Sequence, residues 1–320
     1  MTGKLHELGS ERVHTRWLSN ISPVLEIDPG DTVRMTCREG FDGQVDPPVE
    51  APDLESRLYE VIDFRRVAPV TGPIAIRGAT PGDTLEVRIL ELIPFGTGNL
   101  VVFPAWLEAD FLTREQRESF RGAWIRHFDM DAAVREGAVQ FQPGVRLPLR
   151  PMLGVVGTAP AEGEYTVTGA PRHFGGNMDV RDVTIGSRVY LPVMQAGALF
   201  SAGDGHGMQG DGEICTTGLE TPMHAILEFH LHKARTIRRP QLETDSEFTT
   251  IAYGRSLDSS AREAISDMID YLSTYQKLTR HEAYGLLSLA GDIRVNQVVD
   301  FPYVGARVAL RKDVLEKWKW

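Results

Sequence analysis

Apolar and polar positions alternate in several short runs along the chain, and each run predicts a half-buried strand. Val33, Met35 and Cys37 form one such run; Leu85, Val87 and Ile89 form another. The same reasoning predicts strands over 188–193, 225–230, 293–299 and 307–310. Helical spacing is rarer. Thr113 with Gln116 is a capping-box pair, predicting a helix that runs, with an interruption, toward Arg135. Ser260 with Glu263 predicts a second start, followed by Ile265, Met268, Ile269 and Leu272 on one face. Thr279 with Glu282 predicts a third, which buries Ala283, Leu286, Leu287 and Ala290.

Turn chemistry separates these runs. The string Pro-Gly-Asp-Thr occurs at 29–32 and again at 81–84, each time just before an alternating strand. Pro followed by Gly suits the two central positions of a type II turn, and the repetition suggests two related β units. Strands dominate residues 20–235, and a helix pair flanked by strands closes the chain. The order predicts a mainly β, sandwich-like fold with a smaller C-terminal α+β part over 236–320, in a single unit spanning 1–320.

Composition narrows the partners. With 42% hydrophobic residues in 320, the chain can bury a large core. Its 34 Lys and Arg against 44 Asp and Glu leave a net charge of −10, which disfavours nucleic acid or an anionic membrane as main partner. No apolar run approaches a membrane span, and the N-terminal residues lack a signal-peptide core. Cys37 and Cys215 lie far apart, and Cys37 reads as a small buried apolar residue. A reducing cytoplasm is the expected location.

Reactive residues concentrate between His173 and Glu220. Polar groups recur two apart as Asn177 with Asp179, Asp204 with His206, and Asp211 with Glu213, interleaved with glycines. In an extended segment such pairs face the same side, so each can present two ligands together. Carboxylates plus imidazole suit a divalent metal such as zinc, which acidifies a bound water and polarises a carbonyl. Asn and Gln side chains can hold a small polar substrate or a developing oxyanion. Two other readings fit the same spacing. One is a polar surface loop of Asx-turns. The other is structural calcium on Asp204, Asp211 and Glu213.

The strings Phe174-Gly-Gly-Asn-Met-Asp179, Gly203-Asp-Gly-His206 and Gln209-Gly-Asp-Gly-Glu213 together resemble the signatures of the acetamidase/formamidase family. Leu191-Pro-Val193, Gly197-Ala-Leu-Phe200, Val70-Thr-Gly-Pro73, Glu220-Thr-Pro-Met223 and Gln297-Val-Val-Asp300 extend the resemblance over nearly the whole chain. It implies a mostly β fold, hydrolysis of an amide carbon–nitrogen bond with release of ammonia, a metal site and self-association. Two positions depart from the family pattern: Ala68 stands where many relatives carry His, and Gly207 where relatives usually carry Ala. Asp42 also belongs to a family-like string and is a candidate to reach the site.

On this reading Asp179, Asp204 and His206 hold the metal, zinc or alternatively calcium. Glu213 is a ligand or the general base, Glu220 a second catalytic carboxylate, and Asn177 and Gln209 bind the substrate. His173 reads as structural, Cys215 as a plain thiol, and His230 with His232 as one face of a half-exposed strand. The expected activity is hydrolysis of short aliphatic amides. The alternatives are another amide-like bond (a carbamate, an imide, a larger amide) or a non-catalytic protein that binds metal or a small ligand.

Overall fold

The computed structural model describes residues 3–45, 62–102, 112–120 and 124–318. The described residues are mostly β: 42% of them are strand and 16% helix. Among the described residues nine strands form one sheet, in which Thr32–Cys37, Met223–His232, Thr84–Pro94 and Arg188–Pro192 are successive neighbours. A second sheet runs Gly175–Asn177, Met152–Gly157, Phe200–His206, Val70–Ile76 and Val13–His14, with Leu25–Ile27 pairing in parallel onto Val70–Ile76.

The core lies between these two sheets. Val33, Met35, Cys37, Leu85, Val87, Ile89, Leu227 and Phe229 from the larger sheet meet Ile74, Ile76, Leu153, Val156 and Phe200 from the smaller. Each fully buried side chain of this kind stabilises the fold by roughly 1.5–3 kcal/mol. Alternation is therefore the physical signature of one face on the core and one on solvent. The two Pro-Gly-Asp-Thr turns are structurally equivalent. Gly30 and Gly82 take φ values of 95° and 94°, and Asp31 N–H and Asp83 N–H close the turns onto Asp28 O (3.0 Å) and Thr80 O (3.1 Å). The strands that follow them flank Met223–His232 on its two sides.

The C-terminal part continues the large sheet with Gln241–Glu243, Glu247–Gly254, Val304–Arg311 and Gly291–Val295. Helices Leu257–Tyr275 and Arg280–Ala290 cover this end, burying Met268, Leu272, Ala283 and Leu287 against Phe248, Val308 and Leu310. The Thr279–Glu282 capping box forms as expected.

Three expectations need correction. The helix placed at Ser260 begins at Leu257, capped by Ser256 and boxed by Ser259, because Ser260 instead donates to Val304 O (2.8 Å) inside the fold. The segment from Thr113 toward Arg135 is two short helices, Arg114–Ser119 and Met130–Glu136. Between them Trp124–Asp129 is drawn into a strand by pairing with Thr97–Val102. The strand over 293–299 ends at Val295, where Asn296 and Gln297 turn inward and become fully buried. Among the described residues no helix is long and apolar enough to cross a membrane.

Candidate active site

The strand Phe200–His206 runs through the middle of the smaller sheet and ends in the reactive cluster. Its neighbour pairs Gly203 with Val155 and Gly205 with Leu153, which sets Asp204 beside Gly154. A Cβ on Gly154 would lie 2.8 Å from both Asp179 Oδ1 and Asp204 Oδ2, so only glycine admits the two carboxyls there. Asp179 arrives from the next strand. The N–H groups of Met178 and Asp179 both donate to Gly154 O, at 2.8 and 3.2 Å, and this turns the chain toward Asp204. Glu220 is held opposite His206 by reciprocal backbone bonds with Asn99, at 2.7 and 2.9 Å.

Backbone strain collects in the same place. Asp179, Asp204 and Glu213 take φ values of 47°, 56° and 46°, and nearby Ala68 and Thr216 take 51° and 79°. L-residues enter this region only when the surroundings over-determine it, as at binding and catalytic sites.

His206 is nearly inaccessible, at 1% exposure, and its ring orientation is fixed from behind. Gln209 Nε2 donates to Asp179 O at 2.9 Å, which aims its Oε1 at His206 Nδ1, also at 2.9 Å. Nδ1 is therefore the donor, and Nε2 of the neutral ring carries a lone pair. That nitrogen faces Glu220 Oε1 at 3.1 Å and Asp204 Oδ2 at 3.6 Å. A lone pair against two carboxylates is repulsive unless a cation lies between them or the ring is protonated.

The rest of the cluster repeats the problem. Asp179 Oδ1 and Oδ2, Glu220 Oε2, His206 Nε2 and Asn177 Oδ1 are buried with no hydrogen-bond partner. Asp300 joins from a distant loop, accepting from Asn177 Nδ2 at 2.9 Å. Burial, then the charge of Asp204, pushes Asp179 up to about 7 despite the opposing charge of His206. Burial likewise raises Glu220 to about 8, against the offsetting charge of His206. Glu213 and Asp300 are pushed well above the carboxylate range by burial and by Asp179. At Asp204 burial is outweighed by the His206 charge and contact, and the carboxyl is lowered. Burial opposes protonation of His206, but the Glu220 and Asp204 charges outweigh it and raise the ring well above its usual value.

So many carboxyls cannot ionise together in one buried space without a compensating cation. The donor set fits a divalent metal: Asp204, His206 and Glu220 bring ligand atoms within 4.8 Å of one another, as do Asp179, His206 and Glu213. His206 is common to both sets. The cluster forms part of the wall of a cavity of about 540 Å³, lined also by Phe41, Phe64, Val67, Ala68, Val299 and Phe301.

Measured against the sequence expectations, Asp179, Asp204, His206, Glu213 and Glu220 converge, and Asn177 lines the cavity. Three residues are placed otherwise. Gln209 is not on the cavity wall: both ends of its amide are committed to His206 and the Asp179 carbonyl. Asp211 turns away to Arg307 (2.7 Å), so the calcium set Asp204, Asp211 and Glu213 does not assemble. Asp42 pairs with Arg38 and Arg66, at 2.8 and 2.6 Å, and it is Gly40 and Phe41 beside it that reach the cavity. Cys37 is fully buried, its thiol pushed up to about 12.

The sequence reading missed Asp300 as a site residue and also the packing glycines Gly40, Gly154 and Gly218. A Cβ on Gly40 would lie 2.5 Å from Asp204 Oδ1 and 2.7 Å from Glu220 Oε2, and one on Gly218 would lie 2.5 Å from His206 Nδ1. Asp300 is positioned by buried Gln297, whose Oε1 accepts its N–H at 3.0 Å. The resemblance over 297–300 was the available signal; nothing in local spacing links it to His206.

Fold and site together define a two-sheet β protein with a buried carboxylate–imidazole centre at one cavity. The chain matches the sequence profile of the Acetamidase/Formamidase family over residues 3–164 and 161–317. The solved acetamidase of Bacillus halodurans superimposes with a TM-score of 0.86 at 35% identity, covering 96% of this chain and 98% of that one. The acetamidase of Yersinia enterocolitica gives 0.86 at 27% identity, covering 99% and 94%. An acetamidase of Mycolicibacterium smegmatis is 27% identical over 277 residues, 68% of this chain and 65% of the relative. The matches to curated relatives span between 60% and 65% of those proteins' length. The chain belongs to the acetamidase/formamidase family.

Proposed function

We propose that the protein hydrolyses the carbon–nitrogen bond of short aliphatic amides, of the formamide and acetamide type, to a carboxylate and ammonia, in a metal-dependent reaction. The observation that carries this reading is His206 Nε2, buried, facing two carboxylates and lacking a hydrogen-bond partner. The acetamidase and formamidase names borne by relatives support the amide part of the reading.

Asp204, His206 and Glu220 would hold the ion, and zinc suits a nitrogen and two carboxylate oxygens. Glu220, expected as a catalytic carboxylate, is assigned to the ligand set because its Oε1 is the carboxylate oxygen nearest His206 Nε2. A divalent ion there supplies Lewis-acid polarisation of a carbonyl and a water acidified toward neutrality.

The remaining groups divide the other work. Glu213, backed by Asp179, takes the proton of the attacking water and passes it to the departing nitrogen. Water adds to the carbonyl carbon, the carbon–nitrogen bond breaks, and the proton leaves with ammonia. Asn177 Oδ1 has no partner in the protein and accepts an N–H of the substrate amide. Gln209 fixes the imidazole tautomer from outside the cavity. Ammonia assays on metal-loaded protein with formamide, acetamide and propionamide test the reading. Release from at least one is expected, and none from any of them overturns it.

A further inference from the structure

The cavity is lined by side chains of two chemical kinds. Asn177, Asp204, Glu213, Thr216, Thr217, Glu220 and Asp300 line it with polar groups, the acidic floor among them, whereas Phe41, Phe64, Val67, Ala68, Val299 and Phe301 form an apolar wall. Among the described residues, side-chain groups able to hydrogen-bond an amide belong to the first set. The second set offers hydrocarbon, and Phe301 among it is 57% exposed.

The volume of about 540 Å³ is also far more than the smallest amides need. Cavities of this size ordinarily enclose ligands much larger than acetamide. Formamide bound at the floor would leave the apolar wall facing water, an unfavourable arrangement that hydrocarbon on the substrate would relieve.

The apolar lining is small at residue 68. Ala68 N–H donates to Gly40 O at 2.7 Å, and its φ of 51° is one an L-residue rarely adopts. The bond ties Ala68 to Gly40, the glycine that packs on Asp204 and Glu220. The small methyl at 68 thus lies on the cavity wall close to the acidic floor, where a longer side chain would take up the space.

We propose that the preferred substrate is a primary amide with an apolar acyl group substantially larger than acetyl, its carbonyl at the Asp204–His206–Glu220 floor and its hydrocarbon against Val67, Ala68, Val299 and Phe301. The proposal rests on the amidase reading and refines its substrate.

The test compares kcat/KM for formamide, acetamide, butyramide, hexanamide and phenylacetamide on the metal-loaded protein, alongside binding of acetamide and phenylacetamide by calorimetry. The expected result is a rise of about ten-fold or more from acetamide to phenylacetamide, at least the scale of one methylene in an apolar pocket. Ala68→Leu should lower phenylacetamide turnover more than acetamide turnover, and Phe301→Ala should narrow the same ratio. Fastest turnover on formamide or acetamide, falling with acyl size, overturns this proposal and leaves the amidase reading standing. If no amide is turned over, the amidase reading fails; tighter binding of phenylacetamide than of acetamide then still supports the apolar subsite, and equal or weaker binding overturns it.

Discussion

Gln209 and His206 are coupled through one hydrogen bond, Oε1 to Nδ1 at 2.9 Å, and the far end of the same amide holds the Asp179 carbonyl. One side chain thereby sets both the tautomer of the imidazole and the position of a neighbouring carboxyl. Gln209→Leu removes both bonds while keeping an apolar side chain of similar reach. Metal affinity should fall by about ten- to a hundred-fold, the usual effect of losing a group that orients a ligating His. Isothermal titration with zinc checks this, and unchanged affinity would mean that the tautomer is set elsewhere.

His206→Ala and Glu213→Gln should separate binding from proton transfer. The first removes the nitrogen shared by both donor sets, so metal content by elemental analysis and turnover should both collapse. The second keeps shape and loses the proton acceptor, so metal should stay while the rate drops by about two orders of magnitude or more. Metal loss in Glu213→Gln would make Glu213 a ligand. Full metal and normal turnover in His206→Ala would remove the site altogether.

Gly40→Ala probes the packing of the carboxyls. The added methyl would lie 2.5 Å from Asp204 Oδ1 and 2.7 Å from Glu220 Oε2, closer than real contacts allow. The carboxyls must move, so turnover should fall at least about ten-fold while far-UV circular dichroism stays native. A variant with normal kcat/KM would show that these carboxyls need not hold their positions.

Acid sensitivity away from the site should trace to His14. Burial lowers its pKa from 6.5 to about 4, with Nε2 against Ser201 Oγ (2.8 Å) and Nδ1 on Arg16 O (2.9 Å). Between these values the unfolded chain binds the proton and the folded chain does not. The contribution is therefore fully present above pH 6.5 and is lost as pH falls toward 4, with an upper bound of about 3 kcal/mol. Tm measured from pH 7 to 4 should fall, and His14→Gln should flatten that decline; an identical slope in the variant would place the effect on other groups.

The sequence by itself determined many of the strands and much of the candidate site's membership. Alternation in 33–37, 85–89 and 225–230 reports one face on the core, and that periodicity is local, so it is legible without the fold. Asp204 and His206 are two apart on one strand and face one centre for the same reason. Local spacing could not say that Asp211 would be taken by Arg307 while Glu213, two residues on, turns inward. Nor could it bring Asp300 to Asn177 across 123 residues, or show that Gly40, Gly154 and Gly218 are the space into which the carboxyls and imidazole pack. Those outcomes depend on which strands become neighbours. That is fixed by burial of the whole two-sheet core, which no single segment encodes.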